Sequence, residues 1–115
     1  MASSSSSSSI PVTSKLYVLQ YELVPNMQEQ RASYRAAHLA HVQKQIERGN
    51  IILGGSVDNP PSGALSIWRN MSRDDMEQYA LQDPYVINGC VSKYTIKSYM
   101  AVAGDEKLAD DLIKI

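Results

Sequence analysis

His38 and Asp83 are the residues whose side chains are best suited to proton transfer. Imidazole ionises near neutral pH, so His38 could act as a general acid or base. The Asp83 carboxylate could orient and stabilise that ring, as a carboxylate does in a catalytic triad. The alternatives are a histidine at a helix edge bonded to backbone, and an aspartate capping the turn before Pro84. The hypothesis predicts that the two side chains meet in a cleft, directly or through one water.

Arg35 and Tyr85 are candidate substrate-binding residues beside this pair. Arg35 lies one helical turn before His38 and could bind a carboxylate or enolate oxygen through a bidentate contact. Tyr85 could close the pocket or donate its hydroxyl, or it could be a large residue that packs a turn. The alternative for Arg35 is an ion pair with one of the acids Glu22, Glu29 and Glu47.

Other site chemistries have less support in the sequence. His38 and His41 have a spacing that can hold a metal, but the chain has no further His, so a carboxylate would have to complete the ligand set if its 1 Cys is a core residue. Cys90, between Gly89 and Val91, is more typical of a small core residue than of a nucleophile. The glycine-rich nucleotide motifs and the hydrolase Gly-x-Ser-x-Gly motif are missing from the sequence. We therefore expect neither a metal nor a cofactor.

Length and composition indicate one domain without a charged partner. The chain has 115 residues, 43% of them hydrophobic, and a formal net charge of -1. That charge gives no field to attract nucleic acid or an anionic membrane, and no apolar stretch approaches a membrane span. The single cysteine favours a reducing compartment. We expect a soluble, cytoplasmic protein, although the serine-rich start leaves organelle targeting as an alternative.

The first half of the chain predicts a tail, a strand and a helix. Residues 1–14 contain a serine tract and are expected to be a disordered tail. A strand begins near Lys15, and a helix follows Pro25-Asn26 and ends before Gly49. The apolar stripe of that helix consists of Leu39, Val42 and Ile46. On a helix of this period, His38 lies at the edge of the stripe, beside a cleft, and His41 lies on the far side, facing water.

The second half predicts two strands, a helix, a last strand and a C-terminal segment. The strands cover residues 50–57 and 64–69, the helix follows Ser72 and ends at Asp83-Pro84, and the last strand covers residues 91–102. The order βαββαβ predicts an α+β fold of ferredoxin-like type over residues 15–103, with a four-stranded antiparallel sheet and two helices on one face. Residues 104–115 form a tail that could be a short amphipathic helix carrying Leu108, Leu112 and Ile115.

The sheet face without helices is expected to need a partner. We predict that this face holds residues too apolar for water and too polar for an ordinary core, and we take Ser66 and Trp68 among them as candidate substrate-binding residues. The full predicted set is Ser66, Trp68, Thr95, Tyr99, Gln20 and Glu22.

Three short segments resemble those of the YCII-related family. They are Leu16-Tyr17-Val18-Leu19, Arg35-Ala36-Ala37-His38-Leu39 and Asp83-Pro84-Tyr85, and the similarity runs from about Leu16 to Val102. The resemblance implies that two subunits pack sheet to sheet into a dimeric α+β barrel, as a homodimer or a higher homo-oligomer, with a cleft near the family's His and Asp.

The resemblance also implies a function. The implied protein is a small cofactor-independent enzyme that acts on a small organic carbonyl or phenolic substrate. It would use His38 and Asp83 for acid–base chemistry in a reaction of lyase, isomerase or cyclase type. Proteins of the wider barrel superfamily carry out lactone isomerisation, dehydrohalogenation and polyketide cyclisation. The alternatives are a non-catalytic homo-oligomeric protein that binds a small molecule, and a cofactor-free monooxygenase.

Overall fold

The computed structural model describes residues 16–113, which form four strands, four α-helices and a C-terminal 3₁₀ helix. The predictions for the N-terminal tail and for Ile115 lie outside these residues. The strands are β1 (Leu16–Leu23), β2 (Ile51–Val57), β3 (Gly63–Arg69) and β4 (Val91–Tyr99). The α-helices are α1 (Met27–Arg31), α2 (Arg35–Glu47), α3 (Arg73–Gln82) and α4 (Pro84–Ile87), and the 3₁₀ helix covers Glu106–Asp111.

The strands form one antiparallel sheet in the order β2-β3-β1-β4. β1 is central because its residues are apolar on the face covered by helices and partly apolar on the other face. The predicted α+β, ferredoxin-like fold is therefore confirmed. None of the described helices has the length and apolar character needed to cross a membrane.

The core lies between the sheet and helices α3 and α4. Strand side chains on this face pack against Met76 and Tyr79 of α3 and Tyr85 of α4, and the Trp68 and Tyr79 rings meet edge to face with centroids 4.5 Å apart. Cys90 is part of this core, as its sequence neighbours indicate. The strand side chains concerned are Leu19, Tyr21, Trp68, Val91 and Ile96.

The predicted orientation of β3 was wrong. Ser66 is paired with Leu19 and Trp68 with Tyr17, so both lie on the face covered by helices, and Trp68 is only 1% exposed. Leu65 and Ile67 lie on the outer face instead. Alternation could not decide the orientation, because large apolar side chains occur on both faces of β3. The other residues predicted for the outer face lie there, paired or aligned across β1 and β4: Gln20, Glu22, Thr95 and Tyr99.

The first predicted helix is two helices, and its contacts differ from the prediction. α1 and α2 are separated by a turn before Arg35, and no residue of α2 is fully buried. His41 does not face water: its ring stacks on Tyr79 at 4.2 Å, and its Nε2 lies 2.9 Å from the Tyr79 carbonyl oxygen. The reason is that α2 contacts α3 and α4 through its histidines, so its apolar stripe faces an open cleft instead of the core.

The C-terminal segment docks on its own subunit. Arg69 donates two hydrogen bonds to Asp111, from Nε at 3.1 Å and from Nη2 at 2.7 Å. The Ile113 amide donates to the Ala101 carbonyl at 2.7 Å. The segment is helical as expected but of 3₁₀ type, and the bidentate ion pair fixes it beside the end of β3.

Candidate functional site

A cleft of about 310 Å³ lies between α2 and the sheet. This volume is at the lower end of the range for sites that bind small molecules, roughly 300 Å³ and above. Arg31 and Arg35 lie at its end near α1, and apolar residues line the rest. The apolar wall includes Leu39, Val42 and Ile46 of α2, Ile51 of β2, and Leu19 of β1.

Asp83 is a fully buried carboxylate at the floor of the cleft, with 0% exposure. It precedes Pro84, the first residue of α4, and its Oδ1 caps that helix by accepting a hydrogen bond from the Tyr85 amide at 2.9 Å. Oδ2 accepts a hydrogen bond from the Tyr21 hydroxyl at 2.8 Å. These two donors hold the carboxylate in a single orientation.

His38 completes the environment of Asp83. Its Nδ1 lies 2.8 Å from Asp83 Oδ1, so the predicted approach of these residues, 45 positions apart in the chain, is confirmed. Because a carboxylate only accepts, the neutral ring donates from Nδ1 and carries its lone pair on Nε2. The His38 side chain is 18% exposed and lines the cleft. Its ring stacks on Tyr85 with centroids 3.8 Å apart, which fixes the plane of the imidazole.

Tyr21 is a member of this cluster that the sequence analysis did not select. Burial, and then the negative charge and hydrogen bond of Asp83, raise the pKa of the Tyr21 phenol far above its ordinary value. Tyr21 therefore remains a neutral donor to Asp83. The strand alternation that placed Tyr21 on the inward face was the available signal, but its pairing with Asp83 depends on a contact across 62 positions.

Tyr85 has a buried hydroxyl close to two cations. The residue is 5% exposed, and its hydroxyl has no hydrogen-bond partner within the described part of the chain. Burial raises the pKa of Tyr85, whereas Arg35, and more weakly Arg31, lower it. Burial outweighs the effect of the two cations, so the pKa of Tyr85 is raised and its hydroxyl stays protonated. The Arg35 guanidinium is nearby but makes no hydrogen bond to it. Within residues 16–113, Arg35 forms no ion pair with Glu22, Glu29 or Glu47.

Ser66 and Trp68 differ in their access to the cleft. Ser66 lines it, whereas Trp68 is buried behind it and donates from Nε1 to the Ser66 hydroxyl at 2.7 Å. Trp68 therefore orients Ser66 and does not itself face the cleft. His41 lies on the α3 side of α2, outside the cleft.

The described residues do not provide a complete set of ligands for a metal ion. No group of three or more His, Cys, Asp or Glu side chains converges within residues 16–113. Two ring nitrogens of the His38-x-x-His41 pair have other partners, since His38 Nδ1 bonds Asp83 and His41 Nε2 bonds the Tyr79 carbonyl.

The fold is that of a ferredoxin-like α+β protein, with a cleft between its first long helix and its sheet. The model of the YCII-related domain matches residues 16–100, and the chain belongs to this family. No curated protein matches the chain.

Solved structures similar to the chain include the following two. One is the 5-chloro-2-hydroxyhydroquinone dehydrochlorinase TftG of Burkholderia phenoliruptrix, in complex with 2,5-dihydroxybenzoquinone. It has a TM-score of 0.65 and 20% identity, over 75% of this chain and 94% of the other. The second is a NIPSNAP family protein of Agrobacterium tumefaciens, with a TM-score of 0.49 and 17% identity over 76% and 91% of the two chains. At these identities the similarity to TftG shows a common fold.

Proposed function

We propose that the protein is a small cofactor-independent enzyme that moves a proton on a small organic carbonyl or phenolic substrate. The observation that carries the proposal is the hydrogen bond of 2.8 Å between His38 Nδ1 and the fully buried Asp83, which leaves His38 Nε2 for the cleft. The reaction would be of lyase, isomerase or cyclase type, with His38 and Asp83 as the proton-transfer pair.

His38 Nε2 would accept a proton from an acidic C–H or O–H group of the substrate. The ring then becomes an imidazolium, whose charge Asp83 stabilises through the Nδ1 hydrogen bond. The same proton can return to another atom of the substrate, or to a leaving group, which regenerates the neutral ring. Tyr21 and the Tyr85 amide hold Asp83 in place during both steps, and Ser66 and Arg35 are candidates for binding the substrate oxygen atoms.

The substrate class is supported by the cleft and by one similar structure. The cleft is largely apolar, its volume is about 310 Å³, and its polar lining residues include His38, Arg35 and Ser66. TftG, which shares the fold, is a dehydrochlorinase and its structure contains 2,5-dihydroxybenzoquinone. Small hydroxylated ring compounds are therefore the first substrates to test.

We also propose a homodimer that packs through the outer sheet face. Leu53, with 68% exposure, Leu65 and Ile67 align on this face, and nothing in residues 16–113 covers Leu53. A permanent interface of this kind should bury on the order of 2,000 Å². Light scattering should give twice the monomer mass at micromolar concentration, and a stable monomer would contradict the proposal.

Proton exchange is the most direct test of the proposed chemistry. The protein would be incubated in D₂O with a panel of small enolisable ketones, lactones and hydroxyquinones, and deuterium incorporation would be followed by NMR. Chloride release from 5-chloro-2-hydroxyhydroquinone would be measured separately. We expect His38→Ala to lower the exchange rate by roughly 100-fold or more, the scale for the loss of a general acid or base.

His41→Ala is the matched control, because His41 is on the same helix but lies outside the cleft. Exchange at the same rate in the wild type and in His38→Ala would contradict the mechanism. Binding of a panel compound without exchange or chloride release would favour a small-molecule-binding protein instead.

A further inference from the structure

The cleft has opposite chemical character at its two ends. Arg31 and Arg35 lie at the end near α1, together with the buried hydroxyl of Tyr85. Leu39, Val42 and Ile46 follow along α2 in that order. Ile46 comes eleven residues after Arg35, which corresponds to ~16 Å along a helix axis. His38 lies between the two ends.

The charges of the cationic end have no neutralising partner on the cleft wall. The only carboxylate among the described lining residues is Asp83, which already accepts hydrogen bonds from Tyr21, His38 and the Tyr85 amide. The guanidinium groups are planar donors whose geometry matches a carboxylate or a phenolate oxygen. A ligand oxyanion at this end would gain two cations, and the one carboxylate on the wall, Asp83, already has its oxygen atoms occupied by its hydrogen-bond donors.

The Tyr85 hydroxyl is a second and independent observation. A buried hydroxyl without a partner costs free energy, so such groups usually have a hydrogen-bond partner in the functional state. Tyr85 lines the cleft and stacks on His38, so an acceptor placed beside it would also lie beside the proton-transfer pair.

The apolar end shows how the rest of the ligand is bound. Leu39 and Ile46 are about half exposed, although both lie on one stripe of α2 and face the cleft. A ligand carrying only a charged group would leave this stripe in water. An apolar body next to the oxyanion would cover this stripe, and binding would be favoured in proportion to the apolar surface removed from water.

We propose that the cleft binds an amphipathic organic anion, with its carboxylate or phenolate held by Tyr85, Arg35 and Arg31 and its apolar body against Leu39, Val42 and Ile46. This rests on the proposed function in one respect, since it places the reacting proton near His38, between the two ends. It adds the substrate class: an aromatic or aliphatic acid, or an acidic phenol, rather than a neutral carbonyl compound.

Binding of three probes tests the proposal without knowledge of the substrate. The probes are 4-butylbenzoate, its neutral analogue 4-butylbenzamide, and benzoate, each titrated into the full-length protein by calorimetry. We expect 4-butylbenzoate to bind about tenfold or more tightly than 4-butylbenzamide, because a charge-assisted hydrogen bond exceeds a neutral one. We also expect it to bind about tenfold more tightly than benzoate, because of the butyl group.

Variants locate the two ends of the site. Arg35→Gln, Arg31→Gln and Tyr85→Phe should each weaken 4-butylbenzoate binding by about three- to tenfold and change 4-butylbenzamide binding little. Tyr85→Phe keeps the ring that stacks on His38. Ile46→Ser should reduce the advantage of 4-butylbenzoate over benzoate.

Arg48→Gln is the control variant. It removes the same charge from the exposed C-terminal end of α2, where Arg48 does not line the cleft. NMR signals of the chain's 2 histidines report the location of binding, since His38 should shift and His41 should not. This separates binding in the cleft from binding to the outer sheet face.

Three results would overturn the inference: equal affinity for the benzoate and the benzamide, losses in Arg31→Gln and Arg35→Gln no larger than in Arg48→Gln, or binding that shifts His41 but not His38. These outcomes are distinct from failure of the proposed reaction. Anion binding without proton exchange would leave the subsite in place and remove the mechanism. Proton exchange on neutral ketones without anion binding would support the mechanism and remove the anion subsite.

Discussion

Replacement of Asp83 by alanine is expected to destabilise the protein strongly, because three donors depend on this carboxylate. The Tyr21 hydroxyl and the Tyr85 amide are buried and would lose their acceptor, whereas His38, with 18% side-chain exposure, could turn to water. Each buried donor left without a partner costs about 1–3 kcal/mol. The expected loss in the free energy of unfolding is therefore about 2–6 kcal/mol.

Asp83→Asn is expected to separate stability from chemistry. Its Oδ1 can still accept from His38 and from the Tyr85 amide, and its amide group can donate to the Tyr21 hydroxyl oxygen. We expect a loss of about 1–3 kcal/mol, smaller than for Asp83→Ala, since the Tyr21 O–H is the buried donor that loses its acceptor while the Tyr85 amide keeps its own. The negative charge that stabilises the imidazolium is absent, so proton exchange should still fall sharply.

Urea unfolding followed by the fluorescence of Trp68 measures both losses. This is the chain's 1 tryptophan, and it is buried in the core, so its emission should report global unfolding. The urea midpoints of the variants are compared at one protein concentration, because association stabilises the folded state. The comparison requires that the free energy of unfolding falls with urea at the same slope in each variant. Asp110→Ala, on the exposed side of the 3₁₀ helix, is the control and should change stability by less than about 0.5 kcal/mol. An Asp83→Ala variant within about 1 kcal/mol of the wild type, or an Asp83→Asn variant as unstable as Asp83→Ala, would refute the hydrogen-bond reasoning.

Three further predictions concern residues around the cleft. His41→Ala should lower the free energy of unfolding by about 1 kcal/mol, because the hydrogen bond to the Tyr79 carbonyl is lost. The rate of proton exchange at His38 should not change. A large fall in that rate would place His41 in the site. The pKa of Tyr21 is raised above its ordinary value of 10.0, so the folded state keeps a proton that the unfolded chain loses above that pH. Its contribution to stability is therefore complete below pH 10.0 and is lost as the pH rises, by about 1.4 kcal/mol per unit, and the stability of Tyr21→Phe should fall less steeply over the same range. Gly63→Ala should destabilise by about 1–3 kcal/mol, because its Cβ would lie 2.8 Å from the Tyr21 carbonyl oxygen, whereas Gly55→Ala, with nothing within 4 Å, should be tolerated in the same assay.

The sequence by itself determined the order of elements and the choice of the central pair. Alternating apolar residues in β1, the serine cap of α3 and the proline after Asp83 are local signals, and each gave an element or a boundary that the structure contains. His38 is one of 2 histidines but Asp83 is one of 12 acidic residues, so the resemblance of the segments around them to the YCII-related family was needed to select the pair. The turn that divides the first helical segment lacked a proline or glycine and was missed.

Only the tertiary structure decided which face each element presents. β3 has large apolar side chains on both faces, so its orientation depends on the fit of Trp68 against Tyr79 in the core. The apolar stripe of α2 resembles a core face, yet it lines the cleft. The reason is that α2 contacts its neighbouring helices through His38, which bonds Asp83, and His41, which bonds the Tyr79 carbonyl. Tyr21 meets Asp83 through a hydrogen bond between distant parts of the chain, and the fold brings Arg31 and Tyr85 to the same cleft. Local sequence patterns carry no information about either arrangement.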